Sequence, residues 1–289
     1  MDERDFKLIE ILAKTRNITK TAALLYTSQS SLSKRIAAIE QELGVPILLR
    51  SRQGIQLTPD GEEVLTHTTE AAKQLSLMRD AIDAGKGYVS GTLRAGVSMS
   101  YALYRLPDVL TVFFAQYPHV NTHIVTGYSK ELHTHILNNT LDVAVIRGEF
   151  PWKGNKLLIS REKVFAIRHP KDANKPYSEI PFIGRKQTSS AFDSELVQWL
   201  CENHIQIERH QISVDNINTC VEMVSRGIGW TIVPEICLEN FEGISAPLSF
   251  ADGEPFVRST YLMYTESTAS LPQVSAFIET VRDLTFKPN

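Results

Sequence analysis

The sequence predicts three parts in series: a winged helix-turn-helix, all-α with a small β wing, then a long linker helix, then a two-lobed α/β domain. Three observations carry this. Apolar residues at helical spacing through residues 18–43 are interrupted once, at Thr27-Ser28-Gln29; residues 64–82 hold a heptad stripe; and from Gly91 onward strand and helix patterns alternate. The composition agrees, since 289 residues with 43% hydrophobic and 22% charged side chains suffice for two or three domains with sizeable cores. No run approaches the ~18 apolar residues of a spanning helix. The opening MDERDFKLIEIL has acidic residues and no signal-peptide core, which points to a cytoplasmic chain.

Phe6, Leu8, Ile9, Ile11 and Leu12 predict a first helix from Asp2 to about Lys14 that closes a small core. In the next pair, Ile18, Ala22 and Leu25 mark one helix and Leu32, Ile36, Ile39 and Leu43 the other, with Ser28 as the cap of the second. With that apolar face inward, Gln29, Ser30, Ser31, Ser33, Lys34 and Arg35 fall on or near the outer face, side chains suited to phosphates and base edges. An ordinary amphipathic pair would read the same on this stretch alone. The flanks separate the two readings. GVPILLRSRQGIQL offers a hairpin wing with Arg50 and Arg52 on its first strand and Gly54 at its tip. Residues 14–53 carry seven Lys or Arg against two Glu, a balance of +5 in a chain whose total is −3. A basic patch on an acidic protein is the footprint of a nucleic-acid face.

The run TSQSSLSKRIAAIEQELGVPILLR, followed by LTPDGEEVL, resembles the LysR-type transcriptional regulators. It carries that family's Ser-Gln opening of the recognition helix, its Ile-x-x-Ile-Glu-x-x-Leu-Gly close, its wing arginine at Arg50 and its Leu-Thr-x-x-Gly entry to a linker helix. Ser30 stands where the family usually has Pro, Thr21 where it has Ala, and Gln53 where its wing often has Arg. The resemblance implies a non-enzymatic regulator of transcription that binds an inverted-repeat operator in double-stranded DNA. It also implies a homodimer or homotetramer, with RNA polymerase as a further partner.

Thr58-Pro59-Asp60 combines a capping hydroxyl, a proline fit for the first helical position and an acid at the positive helix end, so a helix starts there and runs to about Ala84, before Gly85 and Gly87. Along it Val64, Thr68, Ala71, Leu75, Met78 and Ile82 are spaced 4, 3, 4, 3, 4. Such a seam buries itself against another helix, here one from a second copy, or else packs on its own domain. Beyond it, strands are expected at 92–97, 122–126, 141–146, 164–167, 212–214, 229–233 and 257–264, and helices at 107–116, 131–137, 192–202, 217–226 and 271–284, in a parallel sheet with right-handed crossovers. Two lobes joined by two crossings resemble a periplasmic-binding-protein fold. The expected boundaries are 1–58 for the winged helix-turn-helix, 59–87 for the linker, 91–161 with 266–289 for lobe I, and 162–265 for lobe II.

In an open α/β sheet the ligand crevice lies beyond the carboxyl ends of the strands. Those ends supply Ser98, Met99 and Ser100, then Thr126 and Ser129, then Arg147, while Arg258 at the start of the returning strand faces the same cleft. Hydroxyls, helix amino ends and two guanidinium groups favour a small organic anion such as a di- or tricarboxylate. LDVAVIRG followed by Trp152 resembles the citrate-responsive, catabolite-control branch of the family, which would place Ser98, Ser100, Ser129, Arg147 and Arg258 on the carboxylates. A surface or inter-lobe salt bridge is the competing role for the two arginines, and helix capping for Ser98 and Ser129. No cofactor or metal is expected. His133 and His135 point to different sides of a helix, no phosphate loop, dinucleotide fingerprint or nucleophile elbow is present, and Trp152, Trp199 and Trp230 read as core or rim aromatics. Cys201, Cys220 and Cys237 lack a Cys-x-x-Cys spacing and read as reduced thiols. The competing functions are a cytosolic solute-binding protein using the same cleft, an enzyme with a DNA-binding appendage, and a cysteine-based redox-responsive regulator.

Overall fold

A computed structural model describes residues 1–51, 54–84, 88–185, 191–205 and 212–286. The chain divides into two compact units, Met1–Gly85 and Lys86–Asn289. The first contains α1 (Glu3–Thr15), α2 (Ile18–Leu24), α3 (Gln29–Leu43), β1 (Leu48–Ser51), β2 (Gly54–Leu57) and α4 (Pro59–Ala84). Its core is drawn from the set read from the periodicity, Leu8, Ile9, Leu12, Ala22, Leu32, Ile36 and Ile39, closed by Ile47, Leu48 and Ile55; of that set Phe6, Ile11, Ile18 and Leu25 are only half-buried and Leu43 is exposed. Local chemistry places each element. Asp2 and Asp5 form a capping box at the start of α1, Asn17 caps α2, and Ser28 Oγ accepts from the Ser31 amide at the start of α3. Glu40 accepts from the amides of Ile47 (2.9 Å) and Leu48 (3.2 Å), which fixes where the wing begins. β1 and β2 pair antiparallel from Leu48↔Leu57 to Ser51↔Gly54.

Thr58 starts α4 as expected. Its hydroxyl donates to the Pro46 carbonyl (2.7 Å) and accepts from the Gly61 amide (2.9 Å). Gly61 has no room for a side chain, because a Cβ there would stand 2.2 Å from the Ile47 carbonyl oxygen. The heptad stripe proves divided. Val64 packs against the unit's own core and Thr68 is buried, whereas Met78 and Ile82 are exposed. Packing on its own domain therefore accounts for the first turns of the stripe, and its later turns are uncovered.

The second unit runs β3 (Gly91–Ser98), α5 (Met99–Tyr104), α6 (Leu106–Gln116), β4 (Val120–Gly127), α7 (Ser129–Leu137), β5 (Val143–Arg147), β6 (Asn155–Arg168), β7 (Gly184–Arg185), α8 (Ala191–Glu202), β8 (Ser213–Val214), α9 (Ile217–Ser225), β9 (Trp230–Pro234), β10 (Ile244–Pro247), β11 (Val257–Tyr264), α10 (Glu266–Ala269) and α11 (Pro272–Phe286). The expected strands and helices are present, but the sheet is mixed and not simply parallel. β4, β3 and β5 run parallel, whereas β11 lies antiparallel to β5 and β6, and β9 and β10 lie antiparallel to β6. The reason is β6, far longer than the apolar run 164–167 suggests. Residues 155–163 pair with β11 in lobe I, and residues 164–168 pair with β9 and β10 in lobe II, so one strand makes the first crossing. Its first half alternates exposed and covered positions and lacks the continuous apolar signature.

The second crossing also falls earlier than the expected boundary at 265. Leu262 and Tyr264 pack with Leu93, Val97, Phe113 and Phe277 in the lobe I core, so most of β11 belongs to lobe I. Lobe II packs Phe182, Trp199, Trp230 and Phe256 on one side of its sheet, and Ile183, Val224, Val233 and Cys237 on the other. Trp152 donates to the carbonyls of Asn155 and Tyr264, and Trp199 to that of Ser249, in keeping with structural roles.

Candidate recognition face and ligand cleft

On the first unit, α3 presents Gln29, Ser30, Ser31, Lys34 and Arg35 to solvent, with Ser33 half-buried. Capping ties up some of this set, since Ser28 Oγ lies within hydrogen-bond reach of the Ser30 (3.0 Å) and Ser31 (2.9 Å) hydroxyls. Arg35 also has a partner within the unit. Its Nε and Nη2 donate to the two carboxylate oxygens of Asp5 at 2.6 and 2.5 Å, and the Asp5 side chain is only 2% exposed. The Arg35 hydrogen bonds hold the Asp5 carboxyl below its ordinary range, against the opposing effect of burial. A bidentate fork on a buried carboxylate locks α3 to α1 through Nε and Nη2, while the Arg35 side chain stays 46% exposed. Lys34 is exposed and has no ion-pair partner among the described residues. Arg52 lies outside the described residues, as does the side chain of Arg50. The feature that sequence reading passed over here is Asp5, whose signal was an acid at a position otherwise facing the core.

In the second unit, a cavity of about 80 Å³ lies between the lobes. Ser98, Met99, Ser100, Ser129, Arg147 and Arg258 line it, as the strand ends predicted. Thr126 does not. It is exposed on the edge strand β4, and the chain reaches the cleft only where that strand ends, at Gly127, Tyr128 and Ser129. Phe150 and Lys130 add to the lobe I wall, while Phe192, Asp215, Asn216, Ile217 and Pro234 form the lobe II wall. Val214-Asp215-Asn216 carries the same strand-end-to-helix signal as the lobe I residues, with Asn216 capping α9, so this wall was open to the same reasoning.

The cleft's electrostatics are set by a buried pair. Arg147, 6% exposed, forms an ion pair with Glu162, 9% exposed, which sits where β6 crosses between lobes and also accepts from the Ile236 amide at 2.6 Å. Burial raises the Glu162 carboxyl above its ordinary range, and the nearby charge of Arg147 only partly offsets this. Arg258 donates to the Arg147 carbonyl (3.1 Å), lies over the Phe192 ring and packs on Gly148, whose φ of +95° lets the chain turn there. Ser129 Oγ accepts from the Arg147 amide (3.0 Å), so it orients the strand end and does not cap α7. Ser98 does not cap α5 either. Its hydroxyl is buried with no hydrogen-bond partner, and Arg147 Nε is in the same state. Contacts between the lobes among the described residues include Tyr128 to the Asp215 carbonyl, Tyr104 to Asn218 (3.0 Å) and Arg105 to Glu239 (2.6 Å).

The family models decide what these two surfaces belong to. Residues 4–62 match the bacterial regulatory helix-turn-helix protein, lysR family, and residues 86–285 match the LysR substrate binding domain. The chain belongs to the LysR family. It is accordingly a DNA-binding transcriptional regulator with an effector-binding domain. It is 33% identical over 280 residues, 96% of either chain, to the uncharacterized HTH-type transcriptional regulator YraN of Bacillus subtilis strain 168. It is 28% identical to the transcriptional regulator IlvY of Escherichia coli K12, covering 83% of this chain and 84% of IlvY. Among solved structures, full-length CbnR in complex with its target DNA shares the fold with a TM-score of 0.69 at 19% identity, over 98% of this chain and 99% of CbnR. A full-length OxyR variant from Pseudomonas aeruginosa shares it with a TM-score of 0.63 at 20% identity, over 98% of this chain and 95% of that one.

Other candidate chemistry finds little support in this LysR-type chain. His133 is buried with Nε2 against the Pro151 carbonyl, His135 is exposed, and among the described residues no cluster of His, Cys, Asp or Glu is arranged to hold a metal. Burial pushes the Cys237 thiol up to about 11, the reverse of a reactive cysteine; Cys220 is also buried and Cys201 is exposed. No described helix is long and apolar enough to cross a membrane.

Proposed function

We propose that this LysR-type regulator answers to a compact organic anion held between the lobes of its second unit, and that it acts in the cytoplasm on an inverted-repeat operator as a dimer or tetramer. The observation that carries the effector reading is that two residues lining the cleft, Ser98 and Arg147, each keep a buried polar atom, Oγ and Nε, without a hydrogen-bond partner. Leaving buried polar groups without partners costs about 1–3 kcal/mol each, a cost an acceptor in the cleft would recover. A carboxylate supplies that acceptor. The exposed Lys130 and the cation of Arg258 set the favoured charge.

Size and charge narrow the class further. About 80 Å³ is well below the few hundred Å³ of a typical drug-sized pocket, and Glu162 already balances Arg147. A short monocarboxylate suits the cleft as it stands. Larger di- and tricarboxylates, citrate included, require the Tyr128–Asp215 latch to open. An anion that takes Arg147 from Glu162 binds one arrangement of the lobes better than the other and so shifts their populations, the requirement for any ligand-driven change. Coupled through α4, that shift would alter half-site spacing or DNA bend. The exposed Met78 and Ile82 support pairing through the later turns of α4, and RNA polymerase is the partner through which a change at the operator would be read.

Ser98→Ala tests the effector site without disturbing the fold, because the hydroxyl makes no internal bond. A panel of mono-, di- and tricarboxylates should raise the wild-type melting temperature, and the responding acid should bind Ser98→Ala about three- to tenfold more weakly with the unliganded melting temperature unchanged. Equal responses in both proteins would reject the site.

A further inference from the structure

Tyr26 is 98% exposed in the turn between α2 and α3, with backbone φ of +52°. The turn is a Schellman cap: the Thr27 amide donates to the Ala22 carbonyl (2.9 Å) and the Tyr26 amide to that of Ala23 (3.2 Å), which puts Tyr26 at the left-handed position after the helix. Glycine or asparagine fills that position at least cost, and a tyrosine there pays for a backbone conformation that L side chains rarely adopt. The ring gives nothing back to the fold, since it is open to solvent. Its surroundings are suited to a polyanion. Thr19, Lys20, Thr27, Ser28, Gln29, Ser30 and Ser31 are all exposed, and no Asp or Glu occurs between Lys14 and Glu40.

In a docked helix-turn-helix the first helix crosses the DNA backbone and the start of the second enters the major groove, so the turn passes beside the phosphates at the groove edge. We infer that Tyr26 is a DNA-positioning residue whose phenol hydroxyl donates to a phosphate oxygen flanking the major groove. The inference rests on the DNA-binding reading of the first unit. A neutral donor to phosphate carries no sequence information and releases no counterion, which distinguishes it from Gln29 and Lys34 on α3.

The test uses the full-length protein, an operator selected from a random-duplex pool and an unselected duplex, with binding followed by fluorescence anisotropy across a salt series. Tyr26→Gly and Tyr26→Phe should each bind both duplexes about three- to tenfold more weakly, with the slope of log affinity against log salt unchanged. Tyr26→Gly should melt at or above the wild-type temperature, so the loss is not one of folding. Lys34→Ala, the reference, should reduce that slope by about 0.9. Wild-type affinity in Tyr26→Phe, or a loss confined to the operator, would overturn the phosphate contact. Failure of the wild type to bind any duplex at low salt would overturn it together with the DNA-binding reading.

Discussion

Arg35 and Arg147 were both expected to meet a ligand, and both are held by a carboxylate of their own chain, yet the two pairs differ in kind. Asp5 is fully engaged: Arg35 supplies both oxygens with donors, the Asp2 amide adds a third, and the carboxyl is held low. Glu162 divides its oxygens between Arg147 and the Ile236 amide, and burial outweighs both in raising its carboxyl. A pair in which the charged form is favoured is scaffold. In the other the charged form is disfavoured, the pair lies in a cleft, and on the proposed reading an incoming anion exchanges with Glu162 there. The first unit thus fixes α3 to α1 with an ion pair, and the second pairs its buried cleft arginine with a carboxylate on the crossing strand.

The largest effect should come from leaving Arg147 without a counter-charge. Glu162→Ala buries an unpaired guanidinium and should cost about 3 kcal/mol, seen as a melting temperature roughly 6–12 °C lower for the second unit. A change under a degree would mean that the pair is solvated and the contrast unfounded. A smaller effect of opposite pH dependence belongs to Asp5. Its folded pKa lies below its unfolded one, so its contribution is intact above the ordinary carboxylate range and is lost as pH falls through the depressed value. Glu162, with a raised folded pKa, contributes most at low pH and loses that contribution as pH rises through the folded value. Melting curves from pH 7 to pH 3 should show Asp5→Asn removing part of the wild-type acid loss, and Glu162→Gln failing to do so. If both flatten the acid limb alike, the two pairs are equivalent.

Elements were legible where residues act locally. Apolar spacing, the hydroxyl of Thr58 and the Ser28 cap placed the helices of the first unit, and the ends of β3 and β5 placed Ser98 and Arg147 on the cleft. Long-range pairing was not legible. Nothing local in the sequence says that Arg35 reaches back 30 residues to Asp5, or that Glu162 on the crossing strand lies under Arg147. The crossing itself was obscured because β6 is half covered along lobe I and shows a continuous apolar run only in lobe II. Thr126 does not line the cavity because strand alternation at an edge puts its side chain in solvent one step before the chain turns into the cleft.

The exchange of partners at Arg147 is tested most directly by calorimetric titration of the wild type and Glu162→Gln at pH 7 with the carboxylate that stabilises the wild type. The account predicts about tenfold tighter binding to Glu162→Gln, with the two affinities converging as acid protonates Glu162 in the wild type. Equal affinities at pH 7, or weaker binding to Glu162→Gln, would contradict it.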